Sequence, residues 1–207
     1  MKNLIIRLGT EKDYKAVENL TREAFWNVYK PGCSEHYVLH TYRSSPDFVS
    51  ELDFVMEKDG VLIGHVMFVR ANIDTDDGRV LPIMTFGPIS IHPDYQRQGY
   101  GKILLDYALK KAAEMGAGAI CIEGNIDFYS KCGFVVASTK GIHYYAEPRE
   151  NVVPYFLLCE LKKGFLDGVT GTYHTPKGYF VEDSDVEEFD KTFPPKEKLK
   201  LSGQLFD

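Results

Sequence analysis

The chain has 207 residues, 44% of them hydrophobic, and a formal net charge of −6. This length allows one mixed domain with a full core, and the lack of any eighteen-residue apolar run or cleavable leader pattern favours a cytoplasmic protein over a membrane-bound or exported one. The acidic balance argues against nucleic acid as a partner, because such binding depends on basic patches.

The N-terminal quarter predicts one strand and two helices. Residues 4–8 ("LIIRL") suit a strand. Thr10 and Asp13 resemble a capping box with aspartate in place of glutamate, and apolar residues at helical spacing continue the helix that they open. A second helix is expected over residues 35–42, ending before Pro46, because the residue before a proline avoids helical geometry.

The middle of the chain predicts a hairpin and then alternating strands and helices. Two β-rich runs flank Asp59-Gly60, a dipeptide typical of hairpin turns. A long strand is expected over residues 80–93, then an amphipathic helix, the strand "GAICIEG", the helical piece "DFYSKCG" and the strands "FVVAS" and "VPYFLLCEL". This order favours an α/β fold with one mixed sheet, antiparallel on one side, and helices on its faces.

The composition changes near Lys162. The residues that follow are rich in Gly, Thr and aromatics without periodicity, and then become dense in charge. We therefore predict one domain over residues 1–161 and a C-terminal extension over residues 162–207 that packs on the domain or trails from it.

Four cysteines are present, at positions 33, 121, 132 and 159. None forms a C-x-x-C pair, and no histidine lies at metal-ligand spacing from them. Buried reduced thiols are expected, and no metal site or disulfide is predicted.

The stretch "QRQGYGK" opens the amphipathic helix in an unusual way. A helix N-terminus offers unpaired N–H groups and the positive end of the helix dipole, and Gly99 and Gly101 allow close backbone approach. Together with the charges of Arg97 and Lys102, these features predict a cradle for an anion such as phosphate. A tight strand-to-helix turn is the alternative that the glycine pair alone would support.

Two motifs in order resemble those of the GCN5-related N-acetyltransferase (GNAT) family. Gln96, Gly99 and Gly101 match the pattern [QR]-x-x-G-x-[GA], and "DFYSKCGF" matches x-F-Y-x-x-x-G-F at Phe128, Tyr129, Gly133 and Phe134. The resemblance covers roughly residues 4–161 and is strongest over residues 86–134. It implies a central mixed, mainly antiparallel sheet that is splayed near its middle and flanked by helices on both faces.

The resemblance also implies that acetyl-CoA is the co-substrate, with its pyrophosphate on the amides of residues 97–102. Pro88 inside "TFGPISI" removes a ladder hydrogen bond, which predicts a bulge at Gly87-Pro88 or else an edge strand. In the family two strands splay at this point and the pantetheine arm inserts. The coenzyme-binding residues implied are Ile89, Ile91, Gln96, Arg97, Gln98, Gly99, Tyr100, Gly101, Lys102, Asn125 and Tyr129.

The same resemblance implies the catalytic residues. Tyr129 matches the tyrosine that protonates the leaving thiolate, a role compatible with a phenol; a packed aromatic is the structural alternative. Glu123, at the end of the strand "CIEG", is the candidate general base, directly or through a water; a strand-end residue without a catalytic role is the alternative. Asn125 either orients the substrate or caps the helix that contains Phe128.

The predicted function is transfer of an acetyl group from acetyl-CoA to a primary amine of a small molecule or peptide. A non-catalytic acyl-CoA sensor or scaffold of the same fold is the alternative, and another acyl donor stays open. The acceptor site is expected to involve residues 25–32, 34–43 and 141–150, which are rich in aromatics that could enclose a cationic amine. No membrane partner is expected, and the protein is predicted to be a monomer or homodimer.

Overall fold

The computed structural model describes residues 3–205, which contain nine strands and five α-helices. The strands are β1 (Leu4–Leu8), β2 (Phe54–Lys58), β3 (Val61–Thr75), β4 (Val80–Ile91), β5 (Ala119–Glu123), β6 (Val135–Val136), β7 (Ile142–Tyr144), β8 (Phe156–Glu160) and β9 (Gly171–Tyr173). The α-helices are α1 (Tyr14–Phe25), α2 (Glu35–Tyr42), α3 (Tyr100–Glu114), α4 (Ile126–Tyr129) and α5 (Asp183–Asp190). Along residues 3–205, every helix is too short or too polar to cross a bilayer.

The strands form one mixed sheet in the order β1-β2-β3-β4-β5-β8-β6, while β9 pairs with both β3 and β7. The pairs β1–β2, β2–β3, β3–β9, β5–β8 and β6–β8 are antiparallel, and β4–β5 and β7–β9 are parallel. The predicted fold class, a mainly antiparallel mixed sheet with flanking helices, is confirmed.

The hairpin turn predicted at Asp59-Gly60 is also confirmed. Asp59 and Gly60 both have positive φ, 51° and 81°, as a two-residue type I′ hairpin turn between β2 and β3 requires. Within β4, Gly87 has a φ of 149°, which a residue with a side chain rarely adopts. The regular strand geometry is therefore broken immediately before Pro88, while the parallel register with β5 is held upstream, at Met84↔Ile120.

The chain divides into two compact units. Unit 1 comprises the residues up to Met67, residues Pro88–Leu104 and the residues from Lys177 onward. Its buried side chains include Leu20, Leu39 and Leu52 together with several charged groups. Arg22 of α1 donates from Nε to Asp190 of α5 at 2.6 Å, so the last helix is tied to the first by an ion pair.

Unit 2 comprises residues Phe68–Gly87 and Leu105–Pro176. Its core is formed by buried aliphatic and aromatic side chains, among them Ile73, Cys121, Phe156 and Tyr173. Burial raises the pKa of the Cys121 thiol, as expected for a structural cysteine.

The residues after position 161 contribute to both units. β9 belongs to unit 2, where it pairs with β3 and β7, and α5 belongs to unit 1. The division of the chain into a domain ending at Leu161 and an extension stays a prediction.

Candidate functional site

The cradle, which we define as residues 96–102, follows β4 through a short 3-10 turn, Pro93–Tyr95, and leads into α3. Gly99 has a φ of 88°, and a Cβ built on it would meet no atom within 4 Å. Arg97 also has a positive φ, 57°, an uncommon conformation for a residue with a side chain. Two residues with positive φ, the opposite sign from that of an α-helix, therefore lie directly before α3 and set the direction of the backbone in this segment.

The N–H groups of this segment are the feature that matters chemically. Within residues 3–205, those of residues 97–101 donate to no backbone or side-chain acceptor of the protein. The first amides of a helix lack an intrahelical acceptor, and here the unpaired run extends back into the preceding loop. Five successive donors at the positive end of a 15-residue helix suit an anion.

Side chains of the cradle fix the loop to the strand that precedes it. Gln96 donates from Nε2 to the carbonyl oxygen of Ile91 at 3.0 Å, and Gln98 donates to the carbonyl oxygen of Asp94 at 2.8 Å. Tyr100 is buried and meets Tyr95 edge to face, with the ring centroids 6.2 Å apart. These contacts hold the backbone in place, so the side chains of Gln96 and Tyr100 serve the loop's shape.

The strand residues before the cradle are partly buried. Ile91 packs against Gly64 so closely that a Cβ at Gly64 would lie 2.8 Å from Ile91 Cδ1. Between Ile89 and Ile91, Ser90 is buried and shares a 2.8 Å hydrogen bond with Thr21 of α1. β4 is thereby anchored at the positions where the sequence predicts backbone contacts to the pantetheine arm.

In unit 2, Glu123 ends β5 and is exposed, while the peptide that follows it is closely packed. The Gly124 N–H donates to the carbonyl oxygen of Tyr155 at 2.8 Å. A Cβ on Gly124 would lie 2.3 Å from Cε2 of Tyr129, so the tyrosine ring covers this glycine. Glu123, Tyr129 and Tyr155 are therefore brought together around one peptide group.

Tyr129 is half-buried at the end of α4. Its ring centroid lies 5.9 Å from that of Phe86, 4.9 Å from Phe128 and 5.6 Å from Phe134. Gly133, with a φ of 89°, turns the chain back so that Phe134 reaches this position. The aromatic residues of the "DFYSKCGF" motif therefore support the ring of Tyr129.

Asn125 caps α4. Its side-chain oxygen accepts a 2.8 Å hydrogen bond from the N–H of Asp127, and its backbone is extended as an N-cap requires. Of the two roles that the sequence left open for Asn125, the structure shows the cap.

A residue from the C-terminal part of the chain forms a hydrogen bond with the side chain of Glu123. Thr175 Oγ1 lies 2.7 Å from Glu123 Oε1 and 3.2 Å from the hydroxyl of Tyr144. Tyr144 is buried, and this burial raises the pKa of its phenol. We name Glu123, Tyr129, Tyr144, Tyr155 and Thr175 the Glu123 cluster.

A second carboxylate adjoins this cluster. The Tyr155 hydroxyl donates to Glu147 Oε1 at 3.1 Å. Partial burial raises the pKa of Tyr155, and the nearby Glu147 and Glu123 carboxylates raise it further. Within residues 3–205, neither Glu123 nor Glu147 has a lysine or arginine within 4.0 Å, in contrast to Asp76, which pairs with Arg149.

Sequence reasoning missed Thr175, Tyr155 and Glu147 as individual site residues. Glu147 lies inside the predicted acceptor segment, residues 141–150, but nothing in its local pattern distinguishes it. Thr175 is 52 positions from Glu123, and only the pairing of β9 with β7 brings it close. In the described part of the chain, no group of three His, Cys, Asp or Glu side chains could hold a metal ion.

The family model for the acetyltransferase (GNAT) family matches residues 18–134, more than half of the chain. The chain belongs to the GNAT acetyltransferase family. The match includes the cradle and the "DFYSKCGF" motif, so the resemblance drawn from these residues is confirmed.

Several GNAT proteins are similar to this chain along most of its length. The uncharacterized N-acetyltransferase YhbS of Escherichia coli K12 is 24% identical over 173 residues, which cover 83% of this chain and 96% of YhbS. The crystal structure of E. coli YhbS in complex with CoA has a TM-score of 0.72 at 23% identity, covering 85% of this chain and 91% of that one. A GNAT acetyltransferase from Brucella melitensis in complex with acetyl-CoA has a TM-score of 0.67 at 21% identity, covering 87% of this chain and 100% of that one. At these identities the likeness establishes the GNAT fold.

Proposed function

We propose that this protein transfers an acetyl group from acetyl-CoA to a primary amine of a small molecule or peptide. The observation that carries the proposal is the run of N–H groups at residues 97–101, which donate to no acceptor of the described residues and lie at the start of α3. Related GNAT proteins have been crystallised with CoA and with acetyl-CoA, which supports the same donor here.

On the donor side, the cradle would bind the pyrophosphate through its backbone. Gly99 leaves open space where a Cβ would stand, and its φ of 88° is a conformation that glycine adopts without strain. Arg97 and Lys102 add positive charge. Binding of this kind depends on backbone conformation more than on any one side chain.

On the reactive side, Glu123 would act as the base and Tyr129 as the acid. The ammonium group of the acceptor gives one proton to Glu123, and the neutral nitrogen then attacks the carbonyl carbon of the thioester. A C–N bond forms as the C–S bond breaks, and the Tyr129 O–H protonates the departing sulfur. The remaining surplus proton on nitrogen returns to the tyrosinate through solvent, which leaves an amide and a free thiol.

The surroundings of Glu123 favour a cationic acceptor. Glu123 and Glu147 carry negative charge without a lysine or arginine partner among the described residues. Tyr155 is 41% exposed, donates to Glu147 and offers an aromatic surface beside it. Carboxylates and aromatic faces are the groups that attract an ammonium ion.

The alternative function is a non-catalytic acyl-CoA sensor. Such a protein would need the cradle but neither the hydroxyl of Tyr129 nor the carboxylate of Glu123. The presence of both, with Tyr129 supported by three aromatic rings, favours the enzyme.

Two measurements test the proposal in sequence. Coenzyme A at 100 times its dissociation constant should raise the melting temperature by about 5–10 °C; no shift would contradict the donor site. Thiol release from acetyl-CoA is then followed with polyamines, amino acids, aminoglycosides and peptides. Turnover with at least one amine is expected, whereas tight binding without turnover across the panel would favour the sensor.

A further inference from the structure

The carboxylate of Glu123 is held by residues from far along the chain. Thr175 Oγ1 donates to Glu123 Oε1 at 2.7 Å, and the phenol of Tyr144 also acts on this carboxylate. Glu123 Oε1 is thus fixed by Thr175.

The chemistry of these groups fixes the direction of the hydrogen bonds. An ionised carboxylate only accepts, so the single hydroxyl hydrogen of Thr175 must point to Glu123. With the Thr175 hydrogen used in this way, the 3.2 Å contact between Thr175 and Tyr144 can form only with the hydrogen of the Tyr144 phenol, which also acts on the Glu123 carboxylate. Because burial raises the pKa of Tyr144, its phenol keeps that hydrogen at neutral pH. The resulting chain runs from Tyr144 through Thr175 to Glu123.

The position of Thr175 is set by a short, closely seated strand. β9 pairs in parallel with β7, where Tyr144 is opposite Tyr173, so Thr175 follows two residues beyond Tyr144's partner. At the start of β9, a Cβ on Gly171 would lie 2.4 Å from the carbonyl oxygen of Asp74. β9 therefore lies against β3 at a distance that excludes any side chain at position 171.

We propose that Thr175 is a positioning residue for Glu123, with Tyr144 as the donor that orients the Thr175 hydroxyl. The inference rests on the proposed function, in which Glu123 is the base. Thr175 holds Oε1 so that Oε2 faces the acceptor nitrogen, and a segment outside the GNAT motifs thereby forms part of the active centre.

The test compares three variants in the full-length chain. Thr175→Val keeps the shape and removes the hydroxyl, Thr175→Ser keeps the hydroxyl, and Tyr144→Phe removes the phenol hydroxyl that contacts Thr175 and acts on Glu123. We expect Thr175→Val to lower kcat about tenfold, because small errors in the placement of a catalytic group are costly. The KM for acetyl-CoA should not change, Thr175→Ser should stay within about twofold of the wild type, and Tyr144→Phe should lie between them.

The assay measures thiol release at saturating acetyl-CoA with spermidine, glycinamide and kanamycin as probe amines, and with water as the acceptor. Glu123→Gln is measured alone and combined with Thr175→Val. If Thr175 acts through Glu123, the double variant should be no slower than Glu123→Gln alone, because the two changes remove one interaction. A purely structural role would slow the double variant further and would also raise the KM for acetyl-CoA.

The outcomes separate this inference from the proposed function. If Glu123→Gln lowers kcat but Thr175→Val does not, or if Thr175→Ser is as slow as Thr175→Val, the inference is overturned and the function stands. If Glu123→Gln has no effect, the proposed base is wrong and the inference falls with it. If no probe releases thiol from the wild-type protein, the proposed function itself fails.

Discussion

The cradle in unit 1 and the Glu123 cluster in unit 2 present different parts of the polypeptide. The cradle presents backbone N–H groups whose direction is set by φ at Arg97 and Gly99. The Glu123 cluster presents a carboxylate and hydroxyls, each held by a specific side-chain contact. The chemistry of the cradle therefore depends on backbone conformation, and the chemistry of the Glu123 cluster depends on individual side-chain atoms.

The two units also differ in what they bury. All the acidic and basic side chains buried within the described residues lie in unit 1, among them Glu18, Arg22, His36 and Asp53. The polar residues buried in unit 2 are neutral threonines, Thr75 and Thr85, alongside tyrosines such as Tyr173. Low pH should therefore decrease the stability of unit 1, while the buried groups of unit 2 stay neutral over the ordinary pH range.

Removal of one hydroxyl from the Glu123 cluster should have the largest effect. Tyr129→Phe is expected to lower kcat about 100-fold, because general acid catalysis contributes on that order. Affinity for CoA should be unchanged, since the supporting ring contacts remain. Stopped-flow thiol release and calorimetric titration of CoA measure the two quantities.

The control for this prediction is Tyr14→Phe in α1, which also removes one phenol hydroxyl. It should leave kcat unchanged. If Tyr129→Phe turns over at the wild-type rate, Tyr129 is not the acid.

A backbone change should affect the cradle alone. Gly99→Ala places a side chain at a φ of 88°, which costs about 1–2 kcal/mol of stability, and it should weaken CoA binding about tenfold by turning the amides away. Calorimetric titration measures the affinity, and urea unfolding measures the stability.

Gly78→Ala is a matched control for Gly99→Ala. Gly78 has a φ of 86°, and a Cβ there also meets no atom within 4 Å. Both variants should lose similar stability, and only Gly99→Ala should lose CoA affinity. Equal loss of affinity in the two variants would show that the cradle has no special role.

The buried histidine of unit 1 predicts a loss of stability in acid. Burial lowers the pKa of His36 to about 4, although Asp190 Oδ1, 3.2 Å from its Nε2, acts in the opposite direction. The unfolded chain takes up a proton near pH 6.5 and the folded chain does not, so stability is complete above that pH and falls as the pH decreases toward 4. At pH 5 the loss from this residue is about 2 kcal/mol.

Urea unfolding of the wild type and of His36→Gln at pH 7 and pH 5 measures this loss. The decrease in the free energy of unfolding from pH 7 to pH 5 should be about 2 kcal/mol smaller in His36→Gln than in the wild type, whatever the stability of the variant at pH 7. His174→Gln, an exposed histidine in unit 2, should keep the wild-type dependence. An unchanged dependence in His36→Gln would contradict the assignment.

The smallest effect is expected from a cradle side chain. Arg97→Gln removes one exposed charge and leaves the amides in place, so CoA affinity should fall about threefold and the difference should diminish at high salt. Lys110→Gln, an exposed change farther along α3, is the control. A loss as large as that of Gly99→Ala would mean that charge, and not backbone, dominates binding.

Local sequence patterns were enough to predict most of the helices, strands and turns. The Asp59-Gly60 turn, the Asn125 cap and the glycine-opened helix α3 follow from preferences of a few adjacent residues, and the structure contains all three. The exposed position of Glu123 at the end of β5 also follows from its place after an apolar run.

Contacts between distant residues could not be derived in this way. β9 is three residues long and has no periodicity of its own, and its strand pairing with β3 and β7 depends on residues that are not its neighbours in the chain. The same is true of the ion pair between Arg22 and Asp190, which joins α1 to α5.

The sequence by itself determined the family, the cradle and the aromatic motif around Tyr129, because each depends on residue types at short, fixed spacings. Only the tertiary structure decided that Thr175 and Tyr144 hold Glu123, and that Tyr155, which donates to Glu147, bonds to the peptide that follows Glu123. The contacts of Thr175 depend on strand pairing between segments far apart in the chain. Local preference carries no information about such pairing.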